Sequence, residues 1–202
     1  ESWLKHVDEK DSRVHGRIIP YGTITGRASH HSPNLGQVPS VKKPFGKECR
    51  ELFTVDQGNV LCGVDLSGIE LRCLAHYMQD EEWTEELLNG DVHQKNADAA
   101  GLTRDQAKTL QYAVLYGAGA AKVGSIVGGG AKEGQAILDR FYRNTPKLRE
   151  LMEKVQRLAN KGYVPGLDGR RILVRSEHAA LNTLLQGCGG TIAGQWGCAA
   201  PR

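Results

Sequence analysis

The sequence predicts an α+β protein in which a helical block interrupts a sheet-based unit. Three observations predict it. Extended stretches lie at 13–25 and at 171–175, on either side of the middle of the chain. Between them, several segments repeat apolar residues at helical spacing. The 25 glycines among 202 residues fall mostly between those segments, where they end elements and do not form a low-complexity tract.

Each element has its own signal. Residues 13–25 read as extended, with turn glycines at Gly16 and Gly22. Residues 26–50 read as irregular, broken by Pro33, Pro39 and Pro44 and carrying Arg27, Lys42, Lys43, Lys47 and Arg50. The apolar run 60–64 predicts a short buried strand that ends at Asp65. Leu71, Leu74, Ala75 and Met78 then sit at i, i+3, i+4 and i+7 of a helix, with Ser67 and Glu70 in a capping-box pattern at its start. Thr103 and Gln106 repeat that pattern ahead of a helix from Arg104 to Tyr116, which Gly117 and Gly119 end. A glycine-rich stretch covers 117–130, and a helix follows over 131–142. Thr145-Pro146 opens another, with Leu148, Leu151, Met152, Val155 and Leu158 on one face. Turns at Gly162, Pro165, Gly166 and Gly169 precede the strand at 171–175. The last helix turns Leu181, Leu184, Leu185, Cys188 and Ile192 to one side.

Composition excludes whole classes. Forty per cent hydrophobic and 24% charged residues suit a globular chain and exclude collagen-like or strongly disordered ones. A net charge of +3 does not by itself argue for nucleic acid, so any basic surface must be local. Five cysteines with no CxxC pair argue against a disulfide scaffold or a structural zinc site and point to a reducing compartment. No apolar run is long enough to span a membrane. Both ends read as cut, so the chain is expected to be a piece of a longer protein.

Three constellations could carry chemistry. Arg104, Lys108, Tyr112 and Tyr116 recur every four residues and share one side of their helix, while Ala107, Leu110 and Val114 occupy the other. Two cations followed by two aromatics suit a nucleoside triphosphate: phosphates on the cations, base and sugar on the rings. On spacing alone, an amphipathic helix with a solvated basic face carries more weight. Asp65 to Arg72 reads Asp-Leu-Ser-Gly-Ile-Glu-Leu-Arg, and a carboxylate ending a strand could hold a hard cation. Read alone, it is more simply a turn aspartate beside a helix cap. His178, Asn182 and Gln186 form a polar stripe at i, i+4 and i+8. Amides suit minor-groove acceptors, although read alone the stripe is more simply a polar solvent face. The glycine-rich stretch lacks both the G-x-G-x-x-G and the G-x-x-x-x-G-K-[ST] pattern, and the histidines lack metal-ligand spacing.

In order and spacing, these segments resemble family A DNA polymerases, the DNA polymerase I-like group. Thr25-Gly26-Arg27 followed by Pro33 to Pro39 is similar to the family's T-G-R…P-N-L-x-x-[IV]-P segment. Asp65 to Arg72 matches its first catalytic motif, D-x-S-x-I-E-L-R. Asp91-Val92-His93 resembles its D-x-H, and Arg104, Lys108, Tyr112 and Tyr116-Gly117 match its fingers-helix motif. Asn182 and Gln186 match its N-x₃-Q helix. Gly68, Leu167 to Arg170 and His178 to Gln186 resemble replicative polymerases of short-tailed bacteriophages most.

The resemblance implies a partial polymerase palm, an antiparallel sheet with helices, holding an inserted helical fingers subdomain. It divides the chain into palm over 1–88, fingers over 89–162 and returning palm over 163–202. It implies DNA synthesis in phage replication, transferring a nucleotide from a dNTP to a primer 3′-hydroxyl with two Mg²⁺ ions. Asp65 and the Leu66 carbonyl would ligate metal. His93, Arg104 and Lys108 would contact the dNTP phosphates, with Lys108 also catalytic. Tyr112 would pack by the incoming sugar and base. Tyr116 and Glu70 would wall off a 2′-hydroxyl. Arg27, Asn182 and Gln186 would touch primer–template DNA. A processivity factor and a helicase-primase are compatible further partners, and a bacterial host cytoplasm is the implied location. The family's second metal-binding aspartate, in a His-Asp-Glu type motif, does not follow Gln186. The 202 residues alone are therefore expected to be inactive. The rival readings are a catalytically silent DNA-binding remnant and a fragment of a single-subunit RNA polymerase, which Glu70 argues against.

Overall fold

A computed structural model describes residues 3–199. The chain divides into two compact units, Glu1–Ser67 and Gly68–Arg202.

The first unit is sparse in regular structure. Strands β1 (Arg17–Ile19) and β2 (Ser29–His31) pair antiparallel, with Ile18 opposite His30. The Thr23–Arg27 segment between them is a tight turn. The Gly26 amide donates to the Thr23 carbonyl at 3.0 Å, with Gly26 at a φ of 81° that suits glycine. The stretch expected to be irregular therefore contains β2, and also a short helix, α1 (Gly46–Glu51).

The apolar run 60–64 does not form the expected buried strand. Val60 is 87% exposed, Leu61 69% and Val64 66%. An apolar run becomes a strand only where another strand completes its ladder. Among the described residues, the paired strands are β1 with β2 and, in the second unit, β3 (Tyr163–Pro165) with β4 (Arg171–Leu173). The sheet content is therefore two separate hairpins and not one larger sheet.

The second unit is a helical body around one core. Helix α2 (Ile69–Met78) buries Leu71, Cys73, Leu74, Ala75 and Met78. Its N-cap is Gly68, in a left-handed conformation, one residue past the Ser67 that the pattern pointed to. Helices α3 (Glu81–Asn89) and α4 (Val92–Ala100) follow. Neither is evident in the apolar pattern: α3 buries only Trp83, and α4 buries Val92, Asn96, Ala97 and Ala100, mostly small residues.

Helix α5 (Arg104–Leu115) carries the expected capping box, with the Thr103 side chain and the Gln106 side chain each accepting from the other's backbone amide. Helix α6 (Ala120–Ile126) lies inside the glycine-rich stretch, and α7 (Ala131–Asn144) packs on it. Helix α8 (Pro146–Ala159) starts on its proline. A hairpin of β3 (Tyr163–Pro165) and β4 (Arg171–Leu173) buries Val164 and Ile172. Helix α9 (Ala180–Ala199) then packs on α2 and α8, burying Leu181, Leu184, Leu185 and Cys188. Among the described residues, no helix is long and apolar enough to cross a membrane.

Glycine sets the distance between α6 and α7. A Cβ on Gly134 would collide with the Ala120 carbonyl oxygen and stand 2.6 Å from the Gly124 nitrogen. Backbone cannot yield there as a flexible side chain would. Gly134→Ala should therefore destabilise the chain by about 1–3 kcal/mol, the usual penalty of overpacking. Thermal unfolding checks this, and an unchanged midpoint would contradict the close approach.

Candidate nucleotide and nucleic-acid site

Helix α5 owes its exposed stripe to what it buries on the other side. Ala107, Leu110, Gln111, Val114 and Leu115 are buried, and Thr103 fixes the first turn. The 3.6-residue period then turns Arg104, Lys108 and Tyr116 outward and leaves Tyr112 half-buried. The four predicted residues do share one side of the helix. Lys108 makes no ion pair or hydrogen bond among the described residues, so its ammonium is available to an anion.

Arg104 is already engaged. Its Nε donates to Asp91 Oδ2 at 2.7 Å, while Asp91 Oδ1 accepts from the His93 and Gln94 amides, each at 3.1 Å, and caps α4. The Arg104 hydrogen bond is the main reason that the Asp91 carboxyl lies below its ordinary range. An exposed ion pair of this kind is weak enough to open for a stronger anion. His93, on α4, stands beside Tyr112, with ring centroids 6.5 Å apart. Burial is the main cause that holds His93 below its ordinary pKa, and the Arg104 and Lys108 cations add to it.

The end of α5 meets two other elements. Tyr116 OH donates to Glu70 Oε2 at 3.3 Å, joining α5 to α2. Gly117, at a φ of 75°, lies so close to the His178 carbonyl that a Cβ would collide with it. That contact brings the turn ahead of α9 against the end of α5. Asn182 and Gln186 follow on α9, one turn apart and half-buried. His178 is not on that helix as the stripe implied: it sits in a 3-10 turn, Glu177–Ala179, ahead of it.

The second unit thus brings together Glu70, His93, Arg104, Lys108, Tyr112 and Tyr116, and it carries Asn182 and Gln186. Arg27, Asp65 and Leu66 belong to the first unit. Arg27 is half-buried, and its carbonyl accepts from the Thr23 hydroxyl at 3.0 Å. Asp65 is exposed, and Leu66 is half-buried. A carboxylate beside a backbone carbonyl offers hard oxygen donors of the kind that Mg²⁺ takes.

Sequence reasoning missed two features. Gln111 is buried on the apolar face of α5, a fact that spacing could have shown and residue type obscured. Asp8, Asp11 and His15 lie within metal-binding distance of one another, although the turn already uses them. Asp8 accepts from the Lys10 amide, and Asp11 accepts from the Arg13 amide and contacts His15.

The Asp91 lock has a pH dependence with a definite sign. A carboxyl whose pKa is lowered by folding stabilises the fold above the unfolded value, 3.8, and loses that contribution as pH falls through the folded value. The His93 and Gln94 amide resonances should therefore titrate together below pH 3.8, in step with the Asp91 carboxyl. Amides that titrate at or above that pH would contradict the lock.

Comparison with known proteins bears on this geometry. A family model described as DNA polymerase family A matches residues 1–194. The DNA-directed DNA polymerase of Escherichia phage T7 is 44% identical over 223 residues, covering 97% of this chain and 32% of that protein. The thermostable DNA polymerase I of Thermus aquaticus is 33% identical, covering 88% of this chain and 23% of that protein. The higher identity to the phage protein agrees with the phage-like features of the motifs. The POL domain of Pol1 from M. smegmatis, solved in complex with DNA primer-template and dNTP, superposes with a TM-score of 0.79 at 25% identity, over 95% of this chain and 38% of that one. The chain spans about a third or less of the length of these curated relatives. A match along nearly its whole length, with motifs and fold in agreement, means that the chain belongs to DNA polymerase family A.

Proposed function

We propose that this chain is the palm and fingers part of a polymerase that carries out template-directed DNA synthesis in phage replication, in the host cytoplasm. The observation that carries the proposal is the α5 stripe: two cations and two aromatics on one face, with His93 beside them and Glu70 on the last tyrosine. The division into palm (1–88), fingers (89–162) and returning palm (163–202) is part of this reading.

The residues act by position and charge. Lys108 and Arg104 neutralise the triphosphate, with Arg104 exchanging Asp91 for phosphate. Lys108 stabilises the charge that develops on the phosphates as the primer 3′-oxygen attacks the α-phosphorus, and it is placed to give a proton to the leaving pyrophosphate. His93 adds a contact to the distal phosphates. Tyr112 offers a face to the incoming sugar and base. The Tyr116–Glu70 pair forms a wall where a 2′-hydroxyl would lie. Arg27, Asn182 and Gln186 hold the primer–template, the two amides testing pair geometry at minor-groove acceptors.

Family A polymerases depend on a metal. Here Asp65 and the Leu66 carbonyl would hold Mg²⁺, which when bound supplies charge stabilisation to the attacking and leaving oxygens. These 202 residues contain one such carboxylate and no His-Asp-Glu motif after Gln186. By themselves they are proposed to bind without polymerising.

The decisive experiment is single-turnover incorporation by a polymerase that contains these residues. Lys108→Ala should slow it about 10²–10³-fold, the scale of losing one preorganised charge contact. An unchanged rate would remove the role of Lys108. In the same enzyme, Glu70→Ala should weaken the preference for dNTP over rNTP. An unaltered preference would reduce Glu70 to a partner of Tyr116. Primer–template binding without any extension by that enzyme would favour a silent DNA-binding protein.

A further inference from the structure

The core face of α5 contains one polar side chain. Gln111 is 2% exposed, in a row otherwise made of Ala107, Leu110, Val114 and Leu115. It lies where α5 packs on α4, the helix that carries His93. His93 Nδ1 and Gln111 Oε1 are both buried, and among the described residues neither has a hydrogen-bond partner. The Gln111 side chain lies beside the ring and favours its protonation. One of these atoms can donate, and the other can only accept. The charged groups facing the ring are Arg104 and Lys108 from α5 and Asp91 from the cap of its own helix. Tyr112 borders it as well.

We propose that Gln111 is a positioning residue for nucleotide binding: its amide oxygen accepts from His93 Nδ1–H, which orients the ring and leaves Nε2 for the phosphates that Arg104 and Lys108 hold. The role rests on the phosphate-binding reading of α5. A neutral ring held this way has only an acceptor at Nε2. An arriving triphosphate favours the imidazolium, whose Nε2–H donates to a phosphate oxygen while Nδ1–H stays on Gln111. Binding is thereby coupled to uptake of one proton from solvent, and no covalent bond of the nucleotide changes.

The tautomer is directly measurable by imidazole ¹⁵N–¹H NMR of the chain, Gln111→Leu and Gln111→Met, from about pH 5 to 8, with and without inorganic tripolyphosphate. Without ligand, the wild-type His93 should be protonated at Nδ1. Both variants should shift the proton to Nε2 and lower the ring's pKa, which loss of packing alone would not do. Tripolyphosphate should raise the wild-type ring's pKa and bind the variants about tenfold more weakly. The strengthening of binding with falling pH should move to lower pH in the variants. A wild-type ring protonated at Nε2, or a tautomer and pKa that neither variant changes, overturns the proposal. An Nδ1-protonated ring in a wild-type chain that does not bind tripolyphosphate overturns instead the phosphate-binding reading, and with it the role of Gln111.

Discussion

The two-faced character of α5 is the constraint on which the second unit depends. Twelve residues must bury one side and leave a charged, aromatic side in water. Leu110, Val114 and Leu115 are each 2% exposed or less. Removing such side chains from water contributes roughly 1.5–3 kcal/mol each. That anchoring is large against the weak ion pair of exposed Arg104. The orientation of the stripe is therefore set by what lies beneath it and not by the stripe's own contacts.

Close backbone contact extends this order to neighbouring elements. At Gly117 the absence of a Cβ lets the end of α5 lie on the His178 carbonyl, and at Gly134 it lets α7 lie on α6. Such contacts are short-ranged and unyielding, so they fix distance more sharply than apolar packing does. Gly117 also has a positive φ, so two independent constraints select glycine there. The Tyr116-Gly117 pair thus has a physical basis: the tyrosine reaches Glu70, and the glycine admits the next element.

Some of this was legible in the sequence because it follows local rules. The α5 capping box, the proline start of α8 and the apolar face of α9 formed as their residue types require. Residues 60–64 misled because an apolar run states a need for burial and not a partner. Helices α3, α4 and α6 escaped notice because they bury few large side chains, and amphipathic periodicity is a signal of large side chains. The cap of α2 falls on Gly68, one residue past Ser67, because only glycine takes the left-handed conformation there without strain, and Glu70 also accepts from Tyr116. The α5 stripe was legible as geometry, whereas the Asp91–Arg104 lock joins residues on different helices and could not be read from either helix alone.

Gln111 separates the demands of folding from those of function. At this position a leucine would extend the apolar face with no polar atom to satisfy. A buried amide left without a partner costs about 1–3 kcal/mol, so stability alone argues against glutamine. The cost falls only if the amide finds a complementary group, and the buried Nδ1 of His93 lies beside it. Such a pairing would let a half-buried histidine that feels two cations still gain a proton. Arg104 and Lys108 oppose that proton in the absence of a ligand, and a triphosphate held by both would remove the opposition. A carbonyl oxygen behind the ring then favours the protonated state at the moment when a second donor at Nε2 becomes useful.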